Sequence, residues 1–168
     1  MIKFGVFRNH EEAKLPERAT DFAACYDLRL CLTNEVTVYD ANNIKSKRPV
    51  TEERTITINP GDRVLMPTEL IFDIPAGHSI RFHPRSGLSL KQGLTLANCE
   101  AVIDEDYIDP SFILLANISN IPFVAKHHER LAQMEIVEDL ESEMEETLTR
   151  PEPRKSNRKG GLGHSGTH

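Results

Sequence analysis

The chain has 168 residues, of which 39% are hydrophobic and 27% are charged, and its formal net charge is −6. This length fits one domain with or without a tail, and no apolar stretch approaches the ~18 residues that a membrane-spanning helix needs. Because the net charge is negative, the protein as a whole should repel nucleic acid, so any phosphate-bearing ligand must be held by a local basic site.

The first residues and the cysteines favour a cytoplasmic protein. The chain starts without a basic region followed by an apolar run, so we expect no secretory signal. Cys25, Cys31 and Cys99 are odd in number and form no CxxC pair. This usage argues against a disulfide scaffold and against a zinc ribbon, and a reducing compartment is the simplest setting for it.

Short runs of apolar and β-branched residues recur up to Val137 and predict strands. In chain order they are residues 2–7, 36–39, 56–58, 64–66, 70–74, 79–82, 112–118 and 131–137. Turn residues separate them, notably at 59–62 and 75–77. Such strands without strand–helix alternation are typical of an all-β antiparallel sandwich or barrel. The polar stretch 42–54 is predicted to be an exposed loop.

The composition changes after Val137, which divides the chain into a β domain (1–138) and a tail (139–168). The tail begins with an acidic run in which Leu140, Met144 and Leu148 recur every four residues. That spacing fits one apolar stripe on a helix, and a solvated acidic linker fits it equally well. From Arg150 onward the chain is almost devoid of apolar residues, so it cannot offset its own ordering entropy and is predicted to be a flexible arm.

The arm carries basic residues followed by glycines. Arg154, Lys155, Arg158 and Lys159 precede a glycine-rich stretch over 160–166. Glycines expose backbone N–H groups and basic side chains add charge, so the arm could wrap around a polyphosphate. Tails of this composition are more commonly only solubilising.

The run Pro84-Arg85-Ser86-Gly87-Leu88 is a candidate anion site. A serine between a strand and a helix can cap the next turn, and the N–H groups behind it can bind an anion. Arg85 can add bidentate contacts to phosphate oxygens. The alternative is a plain turn in which Ser86 caps a short helix that reaches Gln92.

Asp104 is the candidate proton acceptor. It follows two apolar residues and opens an acidic turn that ends at Tyr107, and a carboxylate at a strand end can take a proton from water. Glu105 and Asp106 could be metal ligands, although solvated acidic turns imitate such sites, and for Glu105 we expect the solvated state. Tyr107 could stack on a sugar or a base, or lie half-buried in the core.

Two further segments contain candidate functional residues. Asp27 interrupts the apolar stretch 24–28, and a buried carboxylate is costly unless it is paired or near a metal, so we expect a partner for it. His127 and His128 precede the last strand. Adjacent strand residues point to opposite faces, so we predict two surface histidines rather than a metal site.

In this order, the segments around Asp27, Arg85, Asp104 and Gln133 and the glycine-rich tail resemble the five motifs of the homotrimeric dUTPase family, over about residues 24–166. The strongest likenesses are residues 84–93 and 102–107. The resemblance implies a jelly-roll (β-clip) fold and a homotrimer whose active sites each combine three chains. It also implies cleavage of dUTP between the α- and β-phosphates, to dUMP and pyrophosphate, with Mg2+ on the triphosphate.

The resemblance assigns roles to individual residues. Asp104 would be the general base, and Asp27 would orient the water shell of the metal at a distance. Tyr107 would pack against the deoxyribose, and the arm would close over the bound nucleotide. The substrate-binding residues that it implies are Arg85, Ser86, Gly87, Asn98, Ala101, Val102, Tyr107, Gln133, Arg158, Leu162 and Gly163.

The chain also departs from the family pattern. Ala101 stands where the uracil-reading hairpin usually has glycine, and alanine would cost about 1 kcal/mol there if the position requires a positive φ. Leu162 replaces the usual phenylalanine of the arm, and either Arg150 or Arg158 could be the arm's phosphate-binding arginine.

Two other functions are compatible with some of these features. A related dCTP deaminase would need a glutamate on the strand after Asp104, and residues 112–118 contain no carboxylate. A nucleotide-dependent binding or regulatory protein without activity would gain nothing from an added negative charge beside a triphosphate. The resemblance implies dUTP and further copies of the chain as partners, and the charge and hydropathy of the sequence predict neither nucleic acid nor a membrane.

Overall fold

The structure, a computed structural model, describes residues 2–149, and they form thirteen strands and one short helix. The elements are β1 (Gly5–Arg8), β2 (Tyr26–Arg29), β3 (Glu35–Tyr39), β4 (Lys45–Pro49), β5 (Thr55–Ile58), β6 (Arg63–Pro67), β7 (Leu70–Asp73), β8 (His78–Pro84), α1 (Ser86–Gln92), β9 (Leu94–Leu96), β10 (Ala101–Ile103), β11 (Phe112–Asn117), β12 (Phe123–Lys126) and β13 (Arg130–Glu138).

Two larger sheets and two strand pairs make up the fold. The five-stranded sheet has the order β4-β3-β6-β11-β9, the four-stranded sheet has the order β10-β8-β13-β2, and β1-β7 and β12-β5 form the pairs. Every ladder is antiparallel. This all-β arrangement confirms the predicted fold class.

The core lies where side chains of both sheets meet. In β3, β5 and β6 buried and more exposed positions alternate, because successive strand residues face opposite sides of a sheet. Phe82 and Met134 from one sheet join Met66 and Ile113 from the other in a single buried cluster. Phe82 also packs edge-on against Phe72, with 6.1 Å between the ring centroids.

The stretch 42–54 differs from its prediction as a loop, because it contains β4. This strand pairs with β3 along five residues, from Glu35↔Pro49 to Tyr39↔Lys45. The lysines and arginine of β4 give no alternation of apolar and polar residues, because β4 is at the edge of its sheet and most of its side chains face water. Charged edge strands of this kind discourage pairing with other chains.

The segment after β13 contains neither helix nor strand within 139–149. Leu140, Met144 and Leu148 are almost fully exposed there, so the helical stripe does not form, and the described part of the tail fits the linker alternative. The domain boundary at 138/139 stays a prediction, and residues 150–168 lie outside the described residues. No helix within 2–149 is long and apolar enough to cross a bilayer.

Candidate active site

The four-stranded sheet brings polar residues from three strands together. Its central strand β13 pairs with β2 on one side and with β8 on the other, so Gln133 lies opposite both Asp27 and His83. Beyond β8 the chain turns into α1. The result is a groove of about 390 Å3, which we call the Arg85 groove. It is lined by Ala19, Asp27, Arg85, Ser86, Gly87, Leu88, Lys91, Gln92 and Gln133.

Asp27 is the buried centre of the Arg85 groove. Its side chain forms ion pairs with two arginines, at 3.1 Å from Oδ1 to Arg85 Nε and at 2.8 Å from Oδ2 to Arg130 Nη1. These pairs offset the cost of burying a carboxylate that is only 8% exposed. Asp27 was predicted to need a partner, and the structure gives it two, Arg85 and Arg130.

Arg130 does not line the groove but holds two residues that do, and it was not predicted from the sequence. Besides pairing with Asp27, it accepts a hydrogen bond on its carbonyl oxygen from Arg85 Nη1, at 2.9 Å. Arg85 is thus held by a side chain and by a backbone group. A guanidinium has five N–H donors, and these contacts occupy only part of them. The signal in the sequence was the position of Arg130, three residues before Gln133 on the same strand.

Helix α1 begins differently from the prediction. Arg85 is the N-cap residue, with extended φ and ψ of −92° and 124° and no side-chain capping bond, and Ser86 is the first helical residue rather than the cap. The helix ends at Gly93, whose φ of 63° is left-handed. A Cβ at Gly93 would lie 2.7 Å from the Cβ of Ser119, so both the space and the φ require glycine there.

Asp104 lies at the opposite end of the same sheet. Strand β10 pairs with β8 through Ala101↔Phe82 and Ile103↔Ile80, and Asp104 follows directly. Its carbonyl oxygen accepts a hydrogen bond from the Tyr107 N–H at 3.1 Å, which closes a turn. The Tyr107 hydroxyl donates to the Pro110 carbonyl at 3.3 Å, and the side chain is 37% exposed.

A second groove of about 590 Å3 surrounds Asp104, and we call it the Asp104 groove. It is lined by Ala76, Gly77, His78, Asp104, Glu105, Glu138, Asp139, Leu140 and Glu141. Glu105 is exposed but not merely solvated as predicted, because its Oε2 accepts a hydrogen bond from the Gly77 N–H at 2.6 Å. Among residues 2–149, no three His, Cys, Asp or Glu side chains come together to hold a metal ion.

The two grooves lie far apart on one chain. By the β10–β8 register, Asp104 is level with Ser79 near the start of β8, whereas Arg85 follows the end of β8. Six positions of extended chain separate residues 79 and 85, and at ~3.3 Å per residue they span about 20 Å. The structure therefore brings Arg85, Ser86, Gly87, Asp27 and Gln133 together and keeps Asp104 away from them.

The loop before Asp104 departs from the expected hairpin. Strand β9 pairs with β11 and β10 pairs with β8, so the loop joins two different sheets. The left-handed residue is Cys99, with φ of 63°, and not Ala101. Ala101 is a buried strand residue without that strain, so the expected penalty for alanine does not arise. Asn98 and Val102 are exposed beside it.

The two histidines that the sequence predicts at the surface are partly buried. His127 and His128 lie in a turn, where their rings are in contact with centroids 3.6 Å apart and planes tilted by 37°. The His127 Nδ1 accepts a hydrogen bond from the Leu32 N–H at 3.0 Å, and its Nε2 is buried. Burial, with the neighbouring His128, lowers the pKa of His127 to about 4.

The sequence matches one protein family over most of its length. The family model of the dUTPases covers residues 49–166. The chain belongs to the dUTPase family. A deoxyuridine 5'-triphosphate nucleotidohydrolase of Finegoldia magna is 38% identical over 114 residues, or 68% of this chain and 78% of that protein. The predictions of a dUTPase and of a nucleotide-hydrolysing enzyme, a dUTP diphosphatase, are confirmed.

Solved dUTPases share the fold. The dUTPase of Streptococcus mutans has a TM-score of 0.64 and 26% identity, over 84% of this chain and 98% of its own. The dUTPase of Staphylococcus bacteriophage 80alpha, solved with dUpNHpp, has a TM-score of 0.74 and 20% identity over 99% of both chains. These likenesses confirm the predicted dUTPase-like, jelly-roll type of fold.

Proposed function

We propose that the chain hydrolyses dUTP to dUMP and pyrophosphate by the attack of a water molecule that Asp104 activates. The water oxygen forms a bond to the α-phosphorus, the bond from that phosphorus to the bridging oxygen breaks, and pyrophosphate leaves. The proton of the water passes to the Asp104 carboxylate. The exposed position of Asp104 in a fixed turn supports this role, because a base in contact with solvent can reach a water molecule.

The Arg85 groove is proposed to hold the phosphates. Arg85 is oriented before any ligand arrives by Asp27 and by the Arg130 carbonyl, so little is lost in ordering it. Ser86, Gly87 and Gln133 add a hydroxyl, a backbone without a side chain and an amide along the same groove. Such groups donate hydrogen bonds to phosphate oxygens, and they stabilise the charge that develops in the transition state.

The distance between the two grooves is the observation that supports a homotrimer. A phosphate chain held at Arg85 cannot reach Asp104 of the same chain across about 20 Å of strand. A homotrimer, in which one copy supplies the Asp104 turn and another supplies the Arg85 groove, removes this difficulty. The exposed Ile108 and Val102 beside the turn offer apolar surface to a neighbouring copy.

Mg2+ is proposed to enter with the triphosphate, whose charge it offsets. The described residues fit such an arrangement, because they provide no cluster of three ligating side chains and both oxygens of Asp27 are engaged by arginines. Asp27 would then contact the hydrated ion only through water, and its direct contact is the ion pair that orients Arg85.

The base and the sugar are proposed to lie against the loop that precedes Asp104. Asn98, Ala101 and Val102 would contact uracil, partly through backbone groups, and Tyr107 would pack against the deoxyribose and leave no room for a 2′-hydroxyl. The proposed arm residues Arg158, Leu162 and Gly163 lie outside the described residues. A cytoplasmic location also stays a prediction.

The experiment that tests this function is a hydrolysis panel. The purified protein is incubated with Mg2+ and with dUTP, dTTP, dCTP or UTP, and pyrophosphate release is followed. We expect release from dUTP alone, and Asp104→Asn should lower kcat by at least about 100-fold. Full activity of Asp104→Asn would contradict the assigned base, and conversion of dCTP to dUTP would favour the deaminase alternative.

A further inference from the structure

A side-chain hydrogen bond ties the Asp104 turn to a second turn of the chain. Glu105 Oε2 accepts it from the Gly77 N–H, at 2.6 Å, although the two residues are 28 positions apart. Gly77 lies in the turn before β8 with a φ of 73°, a left-handed conformation that glycine adopts without strain. A carboxylate acceptor makes this bond stronger than one between neutral groups.

Gly77 is itself anchored on its other side. Its carbonyl oxygen accepts a hydrogen bond from the Asp139 N–H at 2.8 Å. Asp139 Oδ1 in turn accepts from the Ser79 hydroxyl at 2.8 Å and from Arg81 Nη2 at 3.3 Å. The carbonyl side of Gly77 is thereby tied through Asp139 to β8, so Glu105 is bonded to a turn that is anchored independently of it.

We infer that Glu105 is a positioning residue for Asp104, an inference that rests on the proposed function. The Asp104 turn follows a strand of three residues and lies in solvent, and its described internal tie is the Tyr107 N–H bond to the Asp104 carbonyl. The Glu105 bond adds the tie that fixes the turn against the sheet. A base must be held within a fraction of an ångström for efficient proton transfer.

Two variants separate this role from a purely electrostatic one. Glu105→Ala removes the acceptor, so kcat for dUTP should fall about tenfold because the base loses its fixed position. Glu105→Gln keeps an amide oxygen that can accept the bond, so its kcat should stay within about twofold of the original protein. Glu53→Ala, an exposed glutamate of the turn before β5, is the matched control and should leave kcat and KM unchanged.

The pH profile of kcat/KM completes the test. If Glu105 acts by position, Glu105→Gln keeps the original acidic limb and rescues the rate. Equal losses in Glu105→Ala and Glu105→Gln with a shifted acidic limb would overturn the inference, because charge would then be the cause, and an unchanged kcat in Glu105→Ala would also overturn it. Asp104→Asn is measured alongside. Full activity there refutes the assigned base, whereas an inactive Asp104→Asn with a normal Glu105→Ala refutes the positioning role alone.

Discussion

The two ends of β8 carry two different kinds of site. At the Arg85 end, a buried carboxylate, two arginines and residues from three strands are locked together within one chain. At the Asp104 end, a carboxylate lies on an exposed turn that a hydrogen bond ties to a neighbouring turn. The first end is organised before a ligand arrives. The second holds the proposed base, and the described lining of its groove is mostly carboxylates, which would repel a triphosphate. This contrast favours the proposal that the site is completed between chains.

The largest effect that this contrast predicts is on stability. Asp27→Ala removes the buried carboxylate that pairs with two partly exposed arginines, so the free energy of unfolding should fall by about 1.5–3 kcal/mol. Asp104→Ala is the matched control, because its side chain is exposed, and its change should stay within about 0.5 kcal/mol. Denaturant unfolding at a fixed protein concentration measures both. Equal losses in the two variants would contradict the difference between the ends.

Gly93→Ala tests how rigidly α1 is placed beside Arg85. The new Cβ would meet Ser119 at 2.7 Å in a left-handed backbone, so we expect a loss of about 1–3 kcal/mol together with a raised KM for dUTP. Gly77→Ala is the comparison, because it carries the same left-handed strain at φ of 73° in open space. If the two variants lose the same stability, the close approach at Ser119 is unimportant.

We expect the loss of folding stability in acid to originate outside the Arg85 and Asp104 ends of β8. His127 stays neutral in the folded protein because its pKa is lowered to about 4, whereas the unfolded chain protonates it near pH 6.5. The unfolded state therefore binds more protons between these values, and stability should fall as the pH drops from about 6.5 to 4. Thermal unfolding against pH measures this fall.

His127→Asn is the control for that acid limit. Its amide oxygen can accept the Leu32 N–H bond without titrating, so the variant should show a flatter decline below pH 6.5. An identical decline in both proteins would assign the acid limit to other groups.

The smallest predicted effect lies in the loop before Asp104. Cys99 has a φ of 63°, so Cys99→Gly should stabilise the protein by up to about 1 kcal/mol. Ala101→Gly should destabilise it by about 0.5–1 kcal/mol, because Ala101 is an unstrained strand residue. If Ala101→Gly raised the stability and Cys99→Gly lowered it, the strained residue would be Ala101 and not Cys99.

The strands were largely predictable, and the contacts between them were not. Alternation and turn residues located eight strands, since these signals are local. The charged strand β4 was predicted to be a loop, because edge strands tolerate polar residues on both faces. The need of Asp27 for a partner followed from the cost of burying charge. That its partners are Arg85 and Arg130 depends on the register of β2, β13 and β8, which is set by pairing across the whole chain. The same limit concealed the hydrogen bond from the Leu32 N–H to His127, which joins residues far apart in the sequence.

Complementation between two inactive variants tests most directly whether the site is shared between chains. Asp104→Asn and Arg85→Ala are purified separately, denatured together in equal amounts, refolded and assayed with dUTP and Mg2+. If each site takes Asp104 from one copy and Arg85 from another, random mixing in a closed ring should restore about a quarter of the activity of the original protein. If both residues act within one chain, no mixed assembly contains an intact pair, and activity that stays at the level of the separate variants would contradict the account.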